Sequence, residues 1–135
     1  MIKVMIVDDH QVVRLGLRAI MDAQSDLETC GEAADGESAV PLVRDAEPDV
    51  VIMDLSMPGM GGVEATRAIL AERPTTRVLV LSWHADGDHV RAAMSAGATG
   101  YLLKGDESQR LVDAVHAVHR GEDRMSEGLA QHIVS

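Results

Sequence analysis

"DVVIMDLSMPGMGG" (residues 49–62) carries an unbroken apolar run, Val50 to Met53, straight into the carboxylate of Asp54 and then into a turn rich in Pro and Gly. A short run without a polar residue on either side of the pleat is the pattern of a strand covered on both faces. An acid where such a run ends is a helix cap, a structural partner or a reactive group at the rim of a core, and the rest of the chain decides which. Similar runs recur, so strands are expected at Ile2–Val7, Glu28–Ala33, Val50–Leu55, Arg77–Leu81 and Gly100–Leu103. Helical patterns lie between them. Val13, Leu17, Ile20 and Met21 form one apolar stripe, with Arg14 and Arg18 off it. The next two helices are expected over roughly 37–46 and 63–72, stopped by Pro48 and Pro74. A fourth spans roughly 88–96 and is closed by Gly97; a fifth spans roughly 108–120, with Ser108 as its N-cap and Gly121 as its stop.

Strands and helices in strict alternation predict an α/β fold, a five-stranded parallel sheet with helices on both faces. The working site of such a sheet lies beyond the carboxyl ends of its strands, where strand order reverses. The first strand ends in Asp8 and Asp9, the third at Asp54, the fourth at Ser82 and the fifth at Lys104. The second offers Glu32, which is assigned no role.

Three carboxylates brought together repel one another unless a cation holds them. All-oxygen ligation points to Mg²⁺ or a similar hard ion. The ammonium of Lys104 suits a phosphoryl oxygen as a point charge, and the Ser82 hydroxyl can donate to the same group. Mg²⁺ and Lys around a PO₃ unit are the general recipe for phosphoryl transfer. A carboxylate nucleophile giving an acyl phosphate is a known covalent strategy. Asp54 is the natural nucleophile, with Asp8 and Asp9 as metal ligands.

The bulk numbers agree with a soluble domain. The 135 residues are 46% hydrophobic and 25% charged, and Trp83 and Tyr101 are the only Phe, Tyr or Trp residues, so the core is aliphatic and Met-filled. A formal net charge of −10 argues against this segment gripping nucleic acid. A single cysteine, Cys30, allows no internal disulfide and suits a reducing compartment. No apolar run approaches membrane-spanning length, and the expected location is cytoplasmic, without a membrane partner.

The set "VDDH", "MDLSMPGMGG", "VLVLSWH" and "GYLLK", in this order and spacing, resembles the receiver domain of two-component response regulators over about residues 2–121. "DDHQVVRLGLRAIM" and "SAGATGYLLK" are similar to the NarL/FixJ-type, LuxR-tailed subgroup in particular. The resemblance implies a flavodoxin-like fold with strand order 2-1-3-4-5, the order for which a receiver protein is itself a standard example. It implies that Asp54 accepts a phosphoryl group from a sensor histidine kinase. Asp9 then ligates Mg²⁺ directly, Asp8 holds a metal-bound water, and the backbone carbonyl of Ser56 completes the metal shell. Ser82 and Lys104 bind the phosphoryl group, and the inward or outward rotation of Tyr101 reports the position of Ser82. The switched surface is that of the fourth helix, fifth strand and fifth helix; a homodimer, through the first and fifth helices or through the fourth–fifth face, is the expected readout, with its dependence on phosphorylation left open; and the protein is a switch, not an enzyme, that catalyses at most its own phosphorylation and slow dephosphorylation.

The resemblance also implies a C-terminal helix-turn-helix output domain controlling transcription, so DNA is a partner only through a domain absent here. Residues 1–121 are the expected receiver, and 122–135 a linker or the start of an extension carrying the weak apolar period Met125, Leu129, Ile133. The family often has Pro after the lysine, commonly through a cis peptide. Here Gly105 follows Lys104, and a trans bond is expected because a non-proline cis bond costs about 2.5–4 kcal/mol. Trp83, bulky for a loop that must move, is a candidate modulator that would shield the phosphoryl group or meet a partner, or else a plain half-exposed loop residue.

Other features take plainer readings. His84 and His89 suggest a metal site, but their spacing falls at a loop-to-helix boundary and they are read as solvated; His116 and His119, at the i, i+3 spacing that can bind an ion, are read as an ordinary helix surface, and His10 as a capping or packing residue. "PGMGG" lacks the GK[ST] ending of a P-loop and is read as turn geometry. An aspartyl-phosphate hydrolase would want a second acid two residues after Asp54, where Ser56 stands. A flavin module would want aromatic rings to flank its cofactor, and a binding-only receiver would not need the whole five-residue set.

Overall fold

The apolar runs form strands β1 (Ile2–Val7), β2 (Leu27–Ala33), β3 (Val50–Met53), β4 (Arg77–Ser82) and β5 (Gly100–Leu103). Helices α1 (Gln11–Asp22), α2 (Gly36–Ala46), α3 (Gly62–Glu72), α4 (Gly87–Ser95) and α5 (Ser108–His119) alternate with them. The computed structural model describes residues 1–134. Every strand pair is parallel, and the order begins β2-β1-β3-β4-β5, as a flavodoxin-like sheet requires.

The continuous apolar runs divide by pleat. Met5, Val7, Val51, Met53, Val78 and Val80 pack with Ala39 and Val43 of α2, Ala65 and Ile69 of α3, and Val90 and Ala93 of α4. Their neighbours Val4, Ile6, Val50, Ile52, Leu79 and Leu81 pack with Leu17 and Met21 of α1 and with Leu111, Val115 and Val118 of α5. A period of two buried on both sides reads in sequence as no period at all. Complete burial of one such aliphatic side chain contributes about 1.5–3 kcal/mol.

Local chemistry sets the helix ends. Asp35 and Asp86 cap α2 and α4 with their carboxylates, accepting from the N–H of Ser38 at 2.7 Å and of His89 at 3.2 Å. Gly97 and Gly121 follow α4 and α5 with positive φ, +109° and +85°. The expected cap of α5 is corrected: Ser108 is its first helical residue, Glu107 takes the cap position, and no side-chain cap bond forms. Pro41 lies inside α2 and removes one backbone donor there.

The expectation of five strands is also corrected. A sixth, β6 (Arg124–Met125), pairs parallel with β5, matching Gly100 to Arg124 and Tyr101 to Met125. It falls in the stretch read as a linker. Two residues, one of them charged, carry no strand pattern. They are held by backbone pairing along the free edge of β5 and by Ser126. The Ser126 N–H donates to the Tyr101 carbonyl at 3.0 Å, and its Oγ accepts from the Leu103 N–H at 2.8 Å and donates to the Asp106 carboxylate. Leu129 is buried in the α2–α4 side of the core, and the short helix α6 (Gln131–Val134) lies against α4.

Candidate functional site

Backbone pairing carries just past the strand ends and fixes the site residues at one edge. The Asp8 N–H donates to the Ala33 carbonyl at 3.1 Å, Asp54 to Val7 at 2.9 Å and Lys104 to Ser82 at 2.9 Å. Asp8, Asp54 and Ser82 are thereby buried although polar. The turn after Asp54 is drawn equally tight. The Gly62 N–H donates to the Leu55 carbonyl at 3.0 Å, and a Cβ on Gly62 would meet the Asp54 carbonyl oxygen at 2.2 Å. Glu37 reaches across from α2 to accept the Met60 N–H. The "PGMGG" turn is thus part of the site's frame, because it sets where Asp54 stands.

Lys104 is the hub. Its Nζ lies 2.9 Å from Asp8 Oδ2 and 3.2 Å from Asp54 Oδ1, with the side chain only 6% exposed. Burial pushes the Asp54 carboxyl above the usual carboxylate range and the Asp8 charge adds to it. Lys104 and the Ser56 backbone N–H pull it down without cancelling the rise. Burial alone would lower the Lys104 ammonium, but its hydrogen bond to Asp8 and the charge of Asp54 outweigh that, and it is held above its ordinary value.

Asp8, Asp9, His10 and Asp54 offer ligand atoms that all lie within 4.8 Å of one another. Asp8 Oδ1 accepts the His10 N–H at 2.8 Å, and Arg14 of α1 donates to the Asp8 carbonyl at 2.7 Å. Asp9 Oδ1 is buried and has no hydrogen-bond partner, alone in this among the described residues. The His10 ring stands 3.1 Å away, outside hydrogen-bonding geometry. A buried, orphaned carboxylate oxygen among acids fits a hard cation.

On the other side of Asp54, Ser82 Oγ accepts the His84 N–H at 3.1 Å, and the Tyr101 hydroxyl donates to the His84 carbonyl at 2.6 Å. Tyr101 is wholly buried, its ring turned inward, and burial raises its phenol. Ser56 lies just past Asp54, and its hydroxyl meets His84 Nε2 at 2.8 Å. Trp83 is 71% exposed and leans over Gly105, its ring 3.8 Å from where a Cβ would sit. No cis peptide occurs among the described residues, so Lys104–Gly105 is trans as expected.

Asp8, Asp9, Asp54 and Lys104 therefore gather at one rim, Ser56, Ser82 and Tyr101 are joined to one another through His84, and Trp83 lies exposed beside that loop. Sequence reasoning weighed His84 with His89 as a metal site and set it aside as solvated, so its bonds to Ser82 and Tyr101 were not foreseen. Its only signal is its place two residues after Ser82, and the stacking of its ring on His89 required the loop's path. Nor is His116 a plain surface residue: its Nε2 lies 2.7 Å from Asp26 Oδ2. Glu32 is ion-paired with Arg14 and Arg18, outside the cluster.

Comparison with known proteins places this geometry. The family model for the response regulator receiver domain matches residues 4–116. The chain is 42% identical over 135 residues, all of its length and 64% of the relative's, to the transcriptional regulatory protein LiaR of Bacillus subtilis (strain 168). It superposes with a TM-score of 0.91 on a LuxR-family two-component response regulator from Aurantimonas sp. SI85-9A1, at 39% identity over 97% of this chain and 94% of that one. The isolated REC domain of RcsB from Salmonella enterica serovar Typhimurium, solved with the phosphomimetic BeF3-, gives 0.87 at 25% identity, covering 97% of each chain. The chain spans a little under two thirds of the length of the curated relatives it matches.

Proposed function

This chain belongs to the response regulator receiver domain family, of the NarL/FixJ and LuxR type, and we propose that within it Asp54 accepts a phosphoryl group from a sensor histidine kinase or a small acyl phosphate. The observation that carries the reading is Lys104 held between two buried carboxylates, with the orphaned oxygen of Asp9 beside them.

An Asp54 oxygen attacks phosphorus, the bond from phosphorus to the donor's nitrogen or oxygen breaks, and the leaving group departs with the electron pair. The three acids have the donor set for Mg²⁺: Asp8, Asp9 and Asp54, with the Ser56 carbonyl, would hold it. A cation held there would supply charge neutralisation for the transferring oxygens. Lys104 leaves its bridge to Asp54 for a phosphoryl oxygen and keeps Asp8 as partner. Ser82 turns its hydroxyl to another oxygen, releasing the His84 N–H. The loop carrying Trp83 and His84 moves with it, and Tyr101 follows through its bond to the His84 carbonyl. Trp83, exposed beside this loop, modulates access or meets a partner.

The changed surface, α4, β5 and α5, is read by a second copy of the chain or by an output domain. In the full-length protein that domain is a C-terminal helix-turn-helix that binds DNA, and the chain works in the cytoplasm. Its own chemistry is limited to taking up the phosphoryl group and slowly losing it. The test is intact mass after incubation with acetyl phosphate. One phosphoryl adduct per chain is expected only with Mg²⁺, and none in Asp54→Ala with the fold intact. Uptake at the same stoichiometry in that variant would overturn the assignment.

A further inference from the structure

Outside the acidic centre, the connection from β4 to α4 gathers a second group of ligating side chains, His84, Asp86 and His89. The two imidazoles stack with centroids 3.9 Å apart and planes 3° from parallel. The Asp86 carboxylate lies 2.8 Å from His89 Nδ1. One ligand atom from each of the three falls within 4.8 Å of the other two. We infer that these residues form a second cation site, one for a borderline transition ion such as Zn²⁺, separate from the acidic centre.

The donor set separates the two sites. Two imidazole nitrogens and one carboxylate oxygen are the ligands of Zn²⁺ and its neighbours, whereas Mg²⁺ favours oxygen alone. Three protein ligands leave a position for water. The group is largely assembled in advance: Asp86 is fixed as the N-cap of α4, and His89 sits in the first turn it caps. The Ser56 hydroxyl, 2.8 Å from His84 Nε2, is the kind of outer partner that orients a ligating imidazole by accepting its second N–H, leaving Nδ1 for the ion. The stacked rings present their lone pairs side by side, so closing on an ion means tilting them. Both rings are partly exposed and the Asp86 side chain is 53% exposed, which leaves room for that movement. The chain's net charge of −10 raises the local concentration of cations.

The position gives such a site a consequence. His84 holds Ser82 Oγ with its N–H and Tyr101 with its carbonyl. An ion tying the His84 ring to the start of α4 holds the loop in this arrangement, with Tyr101 inward. By linkage it changes the free energy of phosphoryl uptake and is changed by it. This consequence rests on the phosphoryl-switch reading above; the site itself does not.

The test titrates the whole chain with Zn²⁺ against a chromophoric chelator, with Mg²⁺ saturating. Trp83, beside His84 and the sole tryptophan, supplies a local fluorescence signal. One Zn²⁺ per chain is expected, with affinity reduced about tenfold or more in His84→Ala and His89→Ala. It should be retained in Asp9→Asn and His116→Ala, and Co²⁺ should give the absorption bands of a tetrahedral site. Circular dichroism checks that each variant is folded. The proposal is overturned if the native chain takes up no Zn²⁺, if both histidine variants bind as tightly as it does, or if only Asp9→Asn loses the ion. Phosphoryl uptake measured without Zn²⁺ judges the switch reading separately, so either can fail alone.

Discussion

Lys104 is where the electrostatics of the molecule concentrate, since one ammonium separates two buried carboxylates. Removing a single partner from a buried ionic group leaves uncompensated charge, and Asp8 and Asp54 would then face each other directly. Lys104→Met is expected to lower stability by about 3 kcal/mol in metal-free buffer, read by urea unfolding. Mg²⁺ should restore part of this, because a ligand bound only by the folded state stabilises it. The pH dependence has a definite sign. Asp54 is raised by burial and by Asp8, so its contribution is fully present below the ordinary carboxylate range and is lost as pH rises through the raised value. Acidification from neutrality therefore stabilises the metal-free chain through Asp54, and more so in Lys104→Met. A variant that is least stable at mildly acid pH would contradict this. Asp8, Asp9, Asp54, Ser82 and Lys104 were legible as polar residues where apolar runs end, whereas Ser56 and Tyr101 were marked only by the family resemblance. The role of His84 was not legible, because it comes from the path of a loop.

At the scale of elements, the turn between β3 and α3 matters most. Gly62 is needed for close approach, since any Cβ there would meet the Asp54 carbonyl oxygen and the Leu55 Cα, at 2.2 and 2.7 Å. Gly62→Ala must move the backbone that carries Asp54. The expected cost is about 1–3 kcal/mol, together with slower phosphoryl uptake from acetyl phosphate. Gly61→Ala, whose Cβ would meet the Leu55 carbonyl at an ordinary 3.5 Å, should be much milder. Equal effects of the two would show that close packing at Gly62 is not what holds the turn. The sequence marked this segment as a turn from Pro and Gly alone. It could not mark which glycine touches Asp54, because the contact is between backbones. Helix ends were legible where a side chain makes the cap, as at Asp35 and Asp86, or where glycine follows, as at Gly97 and Gly121. Ser108 misled because its residue type is right but it stands one residue past the cap position, which Glu107 takes.

For the molecule as a whole, the parallel sheet was legible because apolar runs alternate with amphipathic stretches and each run needs cover on both faces, whereas its strand order came only from the family resemblance. The sixth strand was not legible, because its hold is backbone pairing and one buried serine. That hold has a measurable value. Ending the chain after Gly121 removes Ser126 from the β5 edge and uncovers the pocket of Leu129, which is 4% exposed. We expect such a chain to remain folded and lose about 2–4 kcal/mol, from one buried aliphatic side chain and the lost hydrogen bonds. Unchanged stability would show that residues 122–134 merely rest on the domain.

The central claim is chemical, that one named carboxylate becomes an acyl phosphate. The most direct measurement is to phosphorylate the chain with acetyl phosphate and Mg²⁺, reduce it with borohydride, and map the product by peptide sequencing. Borohydride converts an aspartyl phosphate to homoserine and leaves free carboxylates alone. Homoserine at position 54 only, and none when Mg²⁺ is withheld, is the predicted result. Homoserine at position 8 or 9, or an unmodified Asp54 in a chain that has gained phosphate, would contradict the account.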